Sequence, residues 1–189
     1  MKLLNTKTFK LEEFWDNDTP AYAILSHTWE EEEVSFQAIA DLESAARLLG
    51  FSKIRACCQQ ACSDGYDWVW IDTCCIEKSN SSELSEAISS MFRYYKESGI
   101  CYTYLSDVPS DEDPQAPESA FAKSRWFTRG WTLQELISPL ELVFFSQDWT
   151  KIGFRSILSS QISEITKIDS EVLIGQRSTQ SKSIAQRMV

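Results

Sequence analysis

The sequence predicts an α/β fold, a parallel sheet with helices on both faces, and three observations lead there. Four short runs rich in apolar, β-branched and aromatic residues lie at 21–26, 68–72, 100–105 and 141–145, and between them apolar residues recur at helical spacing. Strand and helix alternating in this way close as parallel strands joined by helical crossovers. Finally, 189 residues suffice to bury one core without disulfide or metal staples, and 43% hydrophobic with 24% charged residues is a globular balance rather than a disordered or fibrous one.

Each element has its own justification. Residues 1–20 are mixed and polar and end at Thr19-Pro20, where proline biases the residue before it towards extended backbone. Ala21 to Ser26 is unalternated, as in a strand buried on both faces. It gives way to His27-Thr28-Trp29 and the acidic run Glu30 to Glu33, which reads as a solvated loop or helix start. Phe36 to Leu49 and Lys53 to Ser63 read as helical. Ile54, Cys57, Cys58 and Ala61 share a face of the second, with breaks at Gly50 and Asp64-Gly65.

Trp68 to Asp72 is the second strand. Ser81 or Ser82 is placed to cap a helix in which Leu84, Ile88, Met91 and Tyr95 recur, Gly99 ends it, and Ile100 to Leu105 is the third strand. Residues 106–119 hold three prolines and five acids and read as an exposed loop. A further helix is expected from about Thr128 or Gly130 to just before Pro139, and Glu141 to Phe145 is the fourth strand. Residues 1–150 are expected to form the core, with 151–189 a C-terminal portion.

Composition excludes several function classes. A formal charge of −10 argues against nonspecific nucleic-acid binding, which needs a cationic face. No apolar run approaches the roughly 18 residues of a membrane span, and the start has only Leu3 and Leu4 where a signal peptide needs a longer apolar stretch. A soluble, cytoplasmic protein is therefore expected. The six cysteines sit in apolar segments and read as reduced, buried thiols. With no Cys-x-x-Cys pair and His27 the only imidazole, no metal is expected.

Active sites of parallel sheets lie at the carboxyl ends of the strands, here Ser26 to Trp29, Asp72 to Cys75, Ser106 to Asp107 and Ser146 to Asp148. Neither a P-loop, a dinucleotide glycine fingerprint nor a Gly-x-Ser-x-Gly elbow is present. A dyad of His27 with Cys74 or Cys75 is geometrically open but lacks an orienting third group.

Four blocks carry a family likeness: Ala21-Tyr22-Ala23-Ile24-Leu25-Ser26-His27-Thr28-Trp29, Trp68 to Ile76, Glu83 to Ile88, and Arg125-Trp126-Phe127-Thr128-Arg129-Gly130-Trp131-Thr132-Leu133-Gln134-Glu135-Leu136. In this order, over about residues 20–150, they closely resemble the fungal heterokaryon-incompatibility (HET) domain. The tail Ser183 to Met188 is similar to a further block of that family, cut short, as in a domain taken from a longer protein. The resemblance implies a cell-death effector of non-self recognition, active on self-association, with a nucleotide-binding receptor and repeat sensor on the same chain. It also implies a remote likeness to Toll/interleukin-receptor (TIR) domains, hence a flavodoxin-like sheet and, as in several of them, cleavage of NAD as substrate with no cofactor.

By that likeness Glu135, in Trp131-Thr132-Leu133-Gln134-Glu135-Leu136, takes the place of the catalytic glutamate. A fixed anion stabilises the positive charge that builds on ribose when the nicotinamide bond breaks. Its bland counterpart is an exposed acid or a structural ion pair with Arg125 or Arg129; Glu86 is a weaker candidate with a solvated-face reading. Trp29 and Trp131 suit stacking on a base, or the core. Asp72 suits ribose hydroxyls, or a turn cap. Arg125 and Arg129 suit a pyrophosphate, or neighbouring carboxylates. Ser26 and His27 line the first strand end. The alternative from another class is a noncatalytic TIR-like signalling module that works by oligomerisation and partner binding.

Overall fold

The four apolar runs become the centre of a single sheet. In a computed structural model that describes residues 1–15 and 18–175, the strands are β1 (Lys2–Asn5), β2 (Leu11–Glu13), β3 (Ala23–His27), β4 (Trp68–Ile71), β5 (Ile100–Tyr104), β6 (Leu142–Phe145) and β7 (Lys151–Phe154), in spatial order β2-β1-β4-β3-β5-β6-β7. β4, β3, β5 and β6 are mutually parallel, with Ile24 opposite Trp70 and Cys101, and Cys101 opposite Leu142. The purely parallel expectation is corrected at both edges, where β1 pairs antiparallel with β4 and β2, and β7 antiparallel with β6.

Side-chain alternation divides the sheet into two faces. Ile24, Ser26, Trp70, Cys101 and Phe144 share one, and Leu25, His27, Ile71, Tyr102 and Phe145 the other. The second face takes helix α2 (Phe51–Ser63), which follows α1 (Leu42–Ala45); the Tyr102 hydroxyl donates to Asp64 at the end of α2 at 2.6 Å. The first face takes α3 (Ser81–Glu97), whose Tyr94 and Tyr95 rings lie 5.7 and 6.1 Å from Trp70. There too, beyond α4 (Ala120–Lys123), Phe144 meets Phe121 and Trp126 edge-on at 5.2 and 5.7 Å. Helices on both faces, as expected, thus seal the parallel strands from water.

Several local expectations give way to side-chain chemistry. Phe36–Leu49 is not one helix: a 3₁₀ turn at Ala38–Ala40 precedes α1, because Asp41 turns its carboxylate onto the backbone N–H groups of Glu43 and Ser44 and starts the helix afresh. Asn80, rather than Ser81 or Ser82, caps α3 by accepting from Ser82 and Glu83. That helix ends at Glu97, and Gly99 serves a close approach instead, since a Cβ there would run into the Tyr66 ring. The helix expected from about Thr128 or Gly130 to just before Pro139 is α5 (Thr132–Ile137), which starts slightly later and follows a 3₁₀ turn at Arg125–Thr128. In the loop 106–119, Val108 and Ser119 are buried rather than exposed.

Beyond β7, α6 (Ser159–Thr166) and α7 (Ser170–Leu173) send Leu158, Ile162 and Leu173 into the same core. Ser183 to Met188 lie outside the described residues. All six cysteines are free, with Cys62 exposed and the others buried. Among the described residues no helix is long and apolar enough to cross a membrane.

The N-terminal strand is as much core as the central ones, since Leu3 and Leu4 are fully buried. Leu4→Ala is therefore expected to cost about 2–5 kcal/mol in urea unfolding, and Leu140→Ala, at a residue 78% exposed, within about 0.5 kcal/mol of nothing. Equal effects of the two would contradict the edge assignment.

Candidate functional site

The order of the parallel strands fixes where a site can form. The chain leaves β3 for β4 on one side and returns past it to β5 on the other, so the connections diverge beside β3, and the crevice outside its carboxyl end is the place such sheets use for ligands. That end carries Ser26 and His27, both buried, on opposite faces. Two polar clusters grow from this pair of neighbours.

On the α5 face, Ser26 Oγ donates to Glu135 Oε2 at 2.5 Å and accepts from the Trp126 indole N–H at 2.7 Å. Arg129 grips the same carboxylate in a fork, Nη1 to Oε2 at 2.9 Å and Nη2 to Oε1 at 3.2 Å. Local sequence explains the arrangement. The 3₁₀ turn aims Trp126 inward, Thr132 bonds the Trp126 carbonyl through its hydroxyl, and α5 begins at once, so that Glu135 in its first turn faces the sheet. Glu135 is 2% exposed while the Arg129 side chain is 21% exposed, so the anion is fixed inside and its counter-charge stands at the rim. The field of this carboxylate reaches its neighbours: burial first, and the Glu135 charge second, push the Tyr95 hydroxyl and the Cys101 thiol well up.

On the other side, His27 Nε2 donates to Asp72 Oδ1 at 2.9 Å and the Trp29 indole N–H donates to Oδ2 at 2.8 Å. Lys78 Nζ lies 3.6 Å from the centre of the Trp29 ring, whose residue is 49% exposed. Burial opposes ionisation of Asp72, but the bonds from His27 and Trp29 and the nearby charges outweigh it and hold its carboxyl below the usual range. His27 is thus committed to Asp72. Cys74, one of its two supposed partners in a thiol dyad, has its thiol held well above the ordinary value by the Cys75 hydrogen bond and then by burial, the reverse of an activated nucleophile.

The remaining expected residues are not drawn together. Arg125 pairs with Glu30 at 2.8 Å, and Asp107 accepts from its backbone N–H at 2.8 Å; Glu30 in turn accepts from Ser106 at 2.7 Å. The acidic run is therefore not simply solvated, since Glu33 also holds the buried Lys53 at 2.5 Å. Trp131 precedes α5 and is 43% exposed, and Glu86 is exposed on α3. A cavity of about 370 Å³ at this edge is lined by Glu30, Lys53, Tyr104 and Ser106 but not by Glu135. Sequence reasoning missed Trp126 and Lys78. Trp126 stood in the same block as Glu135, two residues from Ser124, whose hydroxyl accepts its backbone N–H; Lys78 carried no local signal.

Because the folded state depresses the Asp72 pKa, its carboxylate contributes stability at pH above the unfolded value of about 3.9, and that contribution is lost as pH falls through the lowered folded value. Asp72→Asn removes it. In urea titrations the gap between wild type and this variant should stay constant above about pH 5 and shrink below about pH 4. A gap unchanged down to about pH 2 would contradict the assignment.

Comparison with known proteins adds the following. Residues 22–120 match the family described as "Heterokaryon incompatibility protein (HET)". Over 162 residues the chain is 51% identical to the vegetative incompatibility protein HET-E-1 of Podospora anserina, an alignment that takes in 82% of this chain and 12% of that protein. The chain thus spans about an eighth of this relative's length. No solved structure matches it.

Proposed function

The chain belongs to the heterokaryon-incompatibility family, and from that premise we propose that it is a cell-death effector domain of fungal vegetative incompatibility, acting by cleavage of the nicotinamide–ribose bond of NAD at the carboxyl edge of the sheet. The observation that carries the chemistry is the buried Glu135 carboxylate, fixed beside the point where the strand connections diverge. The order β4-β3-β5-β6 supports the flavodoxin-like, TIR-like comparison, since it is the second-first-third-fourth order of such sheets.

In this reading the bond from ribose C1′ to the ring nitrogen breaks with its electron pair going to nicotinamide, which leaves neutral. Water then adds to C1′ and gives up a proton, so the products are ADP-ribose, nicotinamide and H⁺. The positive charge that develops on the ribose is the charge Glu135 opposes, and Ser26 and Trp126 keep its carboxylate from turning away. Asp72, just past the end of β4, and Trp29, just past the end of β3, are suited to ribose hydroxyls and a base. Self-association and a receptor with a repeat sensor on the same longer chain complete the proposal.

A second reading has its own support: both Glu135 oxygens are engaged and the residue is 2% exposed, as in a structural ion pair within a noncatalytic module. One experiment separates them. With the chain fused to an oligomerising partner, Glu135→Gln should lower nicotinamide release about 100-fold or more while thermal unfolding stays cooperative. Unchanged release would remove Glu135 from the chemistry, and no release from the folded wild type would leave the noncatalytic module standing.

A further inference from the structure

The fork between Arg129 and Glu135 has a consequence for which ligand can use the site. Glu135 is held by a chain of bonds: Ser26 donates to it, Trp126 donates to Ser26, and the Thr132 hydroxyl ties the start of α5 to Trp126. Arg129 is held differently. It lies on an extended link between the 3₁₀ turn and α5, it is partly exposed, and the next residue is Gly130, around which a Cβ would meet nothing within 4 Å. The carboxylate is enclosed and the guanidinium stands at the rim.

A buried carboxylate stripped of its paired cation is strongly penalised, so the fork would open only for a ligand that brings a positive charge of its own. The departing guanidinium, in turn, needs an anion at the rim. The neighbouring Arg125 cannot supply one, and its own carboxylates, Glu30 and Asp107, are already engaged. Resting on the dinucleotide reading above, we propose that Arg129 and the ligand exchange charges: the cationic ring end of an oxidised dinucleotide takes the guanidinium's place against Glu135, and the guanidinium turns out onto the diphosphate. Arg129 is a positioning and specificity residue in this scheme. It excludes ligands that carry only one of the two charges, because each leaves Glu135 or Arg129 unpaired.

Three probes that the site does not cleave test the exchange by titration against the chain: an NAD⁺ analogue whose ribose ring oxygen is replaced by methylene, NADH, whose ring is neutral, and ADP-ribose. The wild type should bind the cationic analogue about tenfold or more tighter than NADH. Glu135→Gln should reduce that preference to within about twofold and bind ADP-ribose about threefold or more tighter than the wild type, since its Arg129 is no longer occupied. Arg129→Gln should leave the affinity for NADH and ADP-ribose, which do not open the fork, within about twofold of the wild type.

The wild type alone gives a further readout, since the Glu135 carboxyl ¹³C resonance should shift on adding the cationic analogue and stay put with NADH. That keeps the test decisive if a variant fails to fold. Equal affinity for the cationic analogue and NADH, a preference that persists in Glu135→Gln, or no binding of any probe overturns the exchange. Nicotinamide release without this preference leaves the cleavage reading intact; the preference without release leaves the exchange intact and removes cleavage.

Discussion

One buried carboxylate organises the carboxyl edge of this sheet. Removing Glu135 from water costs several kcal/mol unless its charge is matched and its lone pairs are filled, and the surrounding structure answers both demands. Arg129 provides the charge, Ser26 at the end of β3 provides a hydroxyl, and Trp126 holds that hydroxyl in place. The break between the 3₁₀ turn and α5 follows from the same demand. A continuous helix would space Trp126 and Glu135 by more than two turns, whereas the break lets both reach Ser26.

The central architecture was legible because burial on both faces leaves a strong mark on sequence. The runs around Ala23–His27, Trp68–Ile71, Ile100–Tyr104 and Leu142–Phe145 are apolar apart from Ser26, His27 and Thr103, and α2 and α3 each show a single apolar face. The edges left no such mark. β2 is three residues, Leu-Glu-Glu, and β7 is largely half-exposed, so neither alternates long enough to read as a strand. β1 is four residues whose two core leucines sit between polar neighbours, and only its pairing with β4 makes it a strand. Likewise, Phe36 to Leu49 has enough apolar residues for a helix, but a single aspartate cap decides otherwise.

At the site, residue types were legible and partnerships less so. Glu135 and Arg129 lie six apart in one block, and their ion pair was among the open alternatives; that it would be bidentate and buried depends on where the turn falls. Ser26 and His27 were read together because they adjoin, yet alternation along β3 sends them to different clusters, one around Glu135 and one around Asp72. Arg125 belongs to neither, because Glu30 and Asp107 claim it. The second cluster has the opposite character to the first, with an ionised Asp72 beneath a half-exposed Trp29 and the Lys78 ammonium above its ring. A fixed anion on one side of β3 and an accessible aromatic surface on the other make the strand end two-sided.

The Glu135 carboxylate is either a place for a ligand's positive charge or only an anchor for α5. A crystal structure of the wild-type chain with the methylene analogue of NAD⁺ decides this most directly. The expected result is the cationic ring against Glu135, with its bond from Ser26 kept and the Arg129 guanidinium on the diphosphate. A dinucleotide bound elsewhere, with the Arg129 fork on Glu135 unbroken, would contradict it.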